Sequence, residues 1–174
     1  MEHVDEDARV AAAKAGDADA VAALFASHWR DAWRLARSIT GSDAAADDAA
    51  QEGFLQAVQS IRSLERVAAF RPWLHRTVAR AALDELRRGR RLVPVAEPID
   101  PDDATEDADD GLDAALALLD GTSPERRAAI VLHHCLHYSM AEVAEILDLP
   151  MGTVQSRTSR GLSELRAHLG GRGR

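Results

Sequence analysis

Residues 92–111, LVPVAEPIDPDDATEDADDG, limit the possible folds more than any other part of the chain. They hold three prolines and eight carboxylates, with no basic side chain. A stretch of that composition cannot bury enough apolar surface to offset the entropy of ordering it, so it reads as a flexible acidic linker. It leaves two short pieces, residues 10–91 and 112–169, as candidate domains. Aromatic residues make up only 4% of the sequence, and no run alternates Val, Ile or Thr with polar residues. Alanine, leucine and arginine are abundant instead. Together these features predict an all-α fold of two small helical domains, one on each side of the linker.

In the second piece, SMAEVAEILDLPMGTVQSRTSRGLSELRAHL (139–169) reads as two short helices around a tight turn. Ser139 and Glu142 have capping-box spacing. Val143, Ile146 and Leu147 share one face, and Pro150 ends the first helix. In the second helix, Val154, Thr158, Gly161, Leu162, Leu165 and Leu169 fall on one side. Gln155, Ser156, Ser159 and Arg160 fall on the other, with Arg157 at the flank. That is the layout of a helix-turn-helix, whose second helix enters the DNA major groove, so DNA is the expected ligand. Arg157 or Arg160 paired to guanine, or Gln155 to adenine, supplies roughly 1–3 kcal/mol of discrimination. Upstream, a helix over 112–120 carries Leu112, Leu116 and Leu119. Another over 124–137 offers Ala128, Val131, Leu132 and Cys135 to the core.

In the first piece, a helix over 18–39 carries Leu24, Phe25, Trp29, Leu35 and Ile39, with Gly41 as its stop. Ser42 or Asp43 caps a second helix over 43–60, and Asp43, Asp47 and Asp48 lie near its positive end. An irregular stretch from Arg62 to Arg71 follows. Pro72 then suits the first turn of a helix running to Arg88. Leu74, Val78, Ala82 and Leu86 repeat along one side of it, and Arg76, Arg80, Asp84 and Arg88 along another. Segment 62–91 holds nine arginines against three acids.

The formal net charge of −8 looks wrong for a DNA binder, but residues 1–9 carry −3 and residues 92–111 carry −8, leaving the remainder at +3. The acid sits in an N-terminal tail and the linker, and local patches govern nucleic-acid affinity. No apolar run approaches the ~20 residues that span a bilayer, and the acidic start lacks the features of a signal peptide. A single Cys135 excludes an internal disulfide framework and fits a cytoplasmic protein. His133, His134, Cys135 and His137 cluster without the spacing of a four-ligand zinc site, so no metal and no cofactor are expected. No phosphate loop, nucleophile elbow or HExxH motif points to an enzyme.

Three motifs resemble the extracytoplasmic-function (ECF) sigma factors of bacterial RNA polymerase, a branch of the sigma-70 family. They are ADDAAQEGFLQAV (46–58), FRPWLHRTVARAALDELRRGRR (70–91) and SPERRAAIVLHHCLHYSMAEVAEILDLPMGTVQSRTSRGLSELR (123–166). The resemblance implies a region 2 domain over 10–91 and a region 4 domain over 112–169. It implies that Asp47, Asp48, Gln51, Glu52 and Phe54 dock on the clamp coiled coil of core RNA polymerase. The segment 64–91 would melt and capture the promoter −10 element. Within and beside it, Arg62, Arg66, Arg71 and Arg76 precede Arg80, Arg87 and Arg88, with Phe70 and Trp73 set among them. That mixture suits strand opening, which needs cations for the backbone and aromatic surfaces for unstacked bases. The helix-turn-helix would read the −35 element through Thr153, Gln155, Ser156, Arg157, Ser159 and Arg160, while its domain rests on the flap tip. Family habit also implies an anti-sigma partner.

The chain departs from the family pattern at several positions. Ala81 stands where Asn is usual, Gln155 where a base is common, and Asp148 where the turn glycine is usual. Gly53 and Ala49 replace larger apolar residues, and a mid-helix glycine costs about 1 kcal/mol relative to alanine. Trp29 is expected in the core, whereas Trp73 is equally suited to core or base. The residues by themselves also admit an autonomous helix-turn-helix regulator, which would require a dimer on symmetric half-sites. They admit an interaction protein with incidental DNA contact as well.

Overall fold

A computed structural model describes residues 2–92 and 122–171, with side chains described for 6–89 and 122–163. The linker at 92–111 and the helix expected over 112–120 lie almost wholly outside the described residues. Every described element is helical: α1 (Glu2–Ala15), α2 (Ala18–Thr40), α3 (Asp43–Ser60), α4 (Phe70–Leu92), α5 (Pro124–Ile130), α6 (Met140–Leu147) and α7 (Met151–Gly171). Short 3₁₀ turns at Ile61–Ser63 and Val67–Ala69 fill the irregular stretch before α4.

Local chemistry sets most of the boundaries. The Asp17 carboxylate accepts from the backbone N–H groups of Asp19 and Ala20 and starts α2. Gly41 ends it in the left-handed region at φ 78°, a conformation that costs glycine little. Ser42, rather than Asp43, caps α3 by accepting from Ala45 N–H. At α6, Ser139 Oγ accepts from Glu142 N–H at 3.3 Å, and the Glu142 carboxylate accepts from Ser139 N–H at 2.8 Å, completing the capping box. Those hydrogen bonds from Ser139 hold the Glu142 carboxyl below the usual carboxylate range.

Two expectations are corrected. The acidic N-terminus is not a tail: residues 2–15 form α1, so the first body begins before residue 10. Val10 and Ala13 are buried in the shared core, Lys14 Nζ donates to Leu64 O, and His28 Nε2 lies 3.6 Å from the Glu6 carboxylate. A narrow apolar stripe is sufficient because α2 and the 61–69 turns cover it from two sides. The helix over 124–137 is also interrupted. It widens at Val131–Cys135 into a π turn, with Leu136 N–H reaching Val131 O and Tyr138 N–H reaching Leu132 O. The register shift leaves Cys135 exposed, whereas Ala128, Val131 and Leu132 are buried as expected.

Gly53 is required rather than merely tolerated. A Cβ there would lie 2.8 Å from the Val78 backbone and side chain, so its absence lets α3 and α4 pack closely. Ala49 is buried on the same helix. The two bodies share one continuous core. Leu35, Ile39, Leu74 and Val78 from the first join Val131, Leu132, Leu136 and Val143 from the second.

Candidate nucleic-acid interface

The helix-turn-helix is built from the turn outward. Asp148 ends α6 at φ 54°, a left-handed conformation that Asp adopts more readily than most residues. Pro150 O accepts from the N–H groups of Thr153 and Val154, starting α7. Val154, Thr158 and Gly161 face inward, against the unit's own core. Gln155, Ser156, Ser159 and Arg160 are exposed, while Thr153 and Arg157 are half-buried at the edges. Ser156 Oγ donates to Thr153 O and Ser163 Oγ to Ser159 O, which keeps this face compact. A small polar face with one long cation at its end lets the helix backbone approach a groove floor.

The second cationic surface belongs to α4 and the turns before it. Leu74, Val78 and Ala82 are buried along its inner side, which turns the arginines outward. Arg62 and Arg66 are exposed on the turn segment. Arg87 pairs with Asp84 at 2.9 Å and Arg88 with Glu85 at 2.9 Å, both on their own helix. Arg71, Arg76 and Arg80 face the second body instead. Arg71 pairs with Asp31 at 3.2 Å and lies 5.3 Å from the Tyr138 ring centroid. Arg76 and Arg80 both face Asp148.

Phe70 is a correction. It is 4% exposed, packed against His28 and Trp73 (ring centroids 5.3 and 6.1 Å), so it cannot receive a base in this arrangement. It opens α4, and its ring closes the gap between α2 and α4. Trp73 is half-buried beside it. Ala81 is buried too, so the position where Asn is usual faces inward here.

The α3 surface divides in the same way. Phe54 is 3% exposed, with its ring 4.0 Å from Phe25 and 5.8 Å from Trp29, and therefore supports the helix from inside. Asp47 accepts from the Trp33 indole N–H at 2.8 Å, and Glu52 accepts from Gln56 at 2.7 Å. Asp48 and Gln51 are exposed, and the same stripe continues through Leu55 and Val58, 52% and 40% exposed. Sequence reasoning missed these two. The signal was present: they follow Gln51 by four and seven positions, which places them on the exposed side once Phe54 and Ala57 define the core side.

The histidine cluster does not converge. His133 Nδ1 lies 2.7 Å from Tyr138 O and the His133 ring contacts His134, while Cys135 is exposed. Among the described residues no three His, Cys, Asp or Glu side chains are placed to hold a metal ion. No described helix is long and apolar enough to cross a membrane.

The fold and these surfaces define a helix-turn-helix protein with a second, arginine-rich helical body. Residues 24–92 match Sigma-70 region 2 and residues 112–165 match Sigma-70 region 4. The chain is 36% identical over 171 residues to the ECF RNA polymerase sigma factor SigM of Mycobacterium tuberculosis, covering 97% of this chain and 87% of that one. The structure of CnrH in complex with the cytosolic domain of CnrY superimposes with a TM-score of 0.71 at 25% identity, covering 95% of this chain and 97% of that one. The sigma factor RpoE in complex with the anti-sigma factor NepR from Bartonella quintana also gives 0.71, at 23% identity over 83% of this chain and 93% of that one. The chain belongs to the ECF sigma factors of the sigma-70 family.

Proposed function

We propose that this chain binds core RNA polymerase and directs it to a small set of promoters, acting in the cytoplasm without catalytic activity of its own. The observation that carries this reading is the two-sidedness of α7: Val154 and Thr158 are buried while Gln155, Ser156, Ser159 and Arg160 are exposed. That face reads the −35 element, with Arg160 and Arg157 as the sequence-selective cations and Thr153 at the backbone edge. The arginines of α4 and of the 61–69 turns hold the −10 strand by its phosphates, and Trp73 is the aromatic nearest that surface.

On α3, the stripe of Asp48, Gln51, Leu55 and Val58 docks on the polymerase clamp coiled coil, flanked by Asp47 and Glu52. Exposed apolar side chains ringed by carboxylates suit a protein partner better than nucleic acid, because the carboxylates repel phosphate. The second body also rests on the flap tip. An anti-sigma factor is a further partner, consistent with the solved complexes of CnrH with CnrY and of RpoE with NepR.

Run-off transcription with core polymerase on a genomic promoter library tests the reading. Enrichment of one paired motif is the expected outcome. Output no higher than that of core enzyme alone would overturn it.

A further inference from the structure

α1 comes before residues 24–92, which match Sigma-70 region 2. Its last turn holds Lys14, the one lysine among the 21 lysine and arginine residues of the chain. Lys14 Nζ donates to Leu64 O, 50 positions away. Leu64 lies where the two 3₁₀ turns before α4 meet. Each turn closes on itself: Leu64 N–H donates to Ile61 O at 3.1 Å, and Ala69 N–H donates to Arg66 O at 3.0 Å. Between the turns the backbone is extended, at Leu64 with ψ 113° and at Arg66 with ψ 124°. α1 touches both turns. A Cβ on Gly16, just past the end of α1, would lie 3.7 Å from Arg62 Nη2. Nearer the start of the helix, the Glu6 carboxylate lies 3.6 Å from His28 Nε2, and the His28 ring packs on Phe70, the first residue of α4. α1 thus braces the segment from its first turn to the start of α4.

We propose that Lys14 is a positioning residue for −10 capture: its ammonium pins the link between the two turns and so fixes which side chains of residues 63–68 meet the strand. The inference rests on the sigma-factor reading. Ser63, Glu65, Arg66 and Ala68 are exposed, whereas Leu64 is buried. Arg66 attracts a phosphate, and Glu65 repels one. A carboxylate can instead accept from a base amino group, such as cytosine N4. Neighbouring side chains of opposite charge therefore admit a strand in one register, with its backbone at Arg66 and its base edges at Glu65. Rotation of the link would exchange the two. The turn bonds lie within 61–64 and 66–69, so they do not span the link. The buried Leu64 side chain anchors it on one side, and Lys14 holds its carbonyl on the other.

The residue type fits this task. An ammonium is a compact head with three donors on a flexible stem, suited to a single carbonyl. A guanidinium fork is matched to the paired oxygens of a carboxylate or phosphate. Beside two arginine-rich surfaces, the lone lysine serves the backbone of the chain itself.

Lys14→Met keeps the stem and removes the donors. Hydrogen exchange in the free, full-length chain reads the brace directly. Amides of 61–69 should exchange about fivefold faster in the variant, with those of α3 unchanged. Binding by the chain assembled with core polymerase reads the consequence. The probes are two single-stranded oligonucleotides, one with the −10 sequence recovered from the run-off library and one with that sequence scrambled. The ratio of the two affinities should fall by about three- to fivefold in Lys14→Met. A merely stabilising lysine would leave that ratio alone, since both probes meet the same folded protein. An unchanged ratio would overturn the proposal, and equal losses on both probes would make Lys14 a phosphate contact. Unchanged exchange at 61–69, or equal acceleration in α3, would overturn it too. Failure of the unaltered chain to co-elute with core polymerase sinks the sigma-factor reading instead, and exchange in the free chain still decides whether Lys14 holds the turns.

Discussion

The two cationic surfaces of this molecule are built on opposite plans. On α4 the arginines are many, and they are engaged: Arg71 with Asp31 of α2 and the Tyr138 ring, Arg76 and Arg80 with Asp148 of the second body, Arg87 and Arg88 with carboxylates of their own helix. On α7 the outward face is short and mostly uncharged, with Arg160 at its end. Many interchangeable cations give affinity and tolerate the loss of any one, because each neutralises a phosphate without reading sequence. A few polar groups at set positions give selection, because each is matched to one base edge.

Disabling the selective surface should have the largest effect. Arg157→Ala combined with Arg160→Ala should cost at least about tenfold in open-complex formation on the preferred promoter, since each base contact contributes roughly 1–3 kcal/mol. Templates with a scrambled −35 element should hardly change. Equal losses on both templates would show that these arginines act on phosphates and would erase the contrast between the surfaces. Arg87→Ala with Arg88→Ala on α4 should instead weaken binding on all sequences alike. The slope of log affinity against log salt should shrink by about 1 for each phosphate contact removed.

Acid should separate the bodies before it affects either surface. Burial, then the nearby charges of Arg71 and His28, lowers the His75 pKa from 6.5 to about 3. His75 is therefore neutral in the folded chain and protonates more readily once exposed. Stability is fully present above pH 6.5 and is lost as pH falls toward 3. By pH 5 the loss through this one group is about 2 kcal/mol, measurable as a falling urea midpoint. His28 adds to it in the same direction, because burial lowers its pKa despite the nearby Glu6 carboxylate. A His75→Gln variant whose midpoint fell just as steeply would place the acid sensitivity elsewhere.

Gly53→Ala should destabilise the first body by about 1–3 kcal/mol, because the new methyl meets the Val78 backbone rather than a side chain that can turn away. Calorimetry would show this as a lower Tm, and an unchanged Tm would mean that α3 and α4 can separate freely. The smallest effect belongs to Cys135→Ser. A small change at an exposed position should alter stability by less than about 0.5 kcal/mol.

Much of the fold was legible in the sequence, for reasons that can be named. The limits of α2 and α3 follow from Gly41 and Ser42, and the helix-turn-helix from the Ser139–Glu142 box and Pro150. These signals act within four residues of one another. α1 was read as an acidic tail because its carboxylates dominate its composition, while Val10 and Ala13 make a stripe too narrow to stand out alone. The π turn was missed because its wide bonds, i→i+5 to Leu136 and i→i+6 to Tyr138, end at a residue whose side chain is held from the other body. At the candidate surfaces, the exposed face of α7 was correctly placed by periodicity. Phe54 was assigned outward by the family resemblance and Phe70 by its aromatic character, and both are buried because aromatic rings fill the gaps between α2, α3 and α4.

Caps, periodicity and the spacing of polar side chains along each helix were settled by the sequence alone, because they depend on neighbours one or two turns away. The pairing of His75 with Tyr138, of Arg127 with the end of α2 and of Asp148 with Arg76 joins positions far apart in the chain. Only the tertiary structure decided those pairs. Such contacts depend on how whole helical surfaces fit together, and no local pattern encodes that fit.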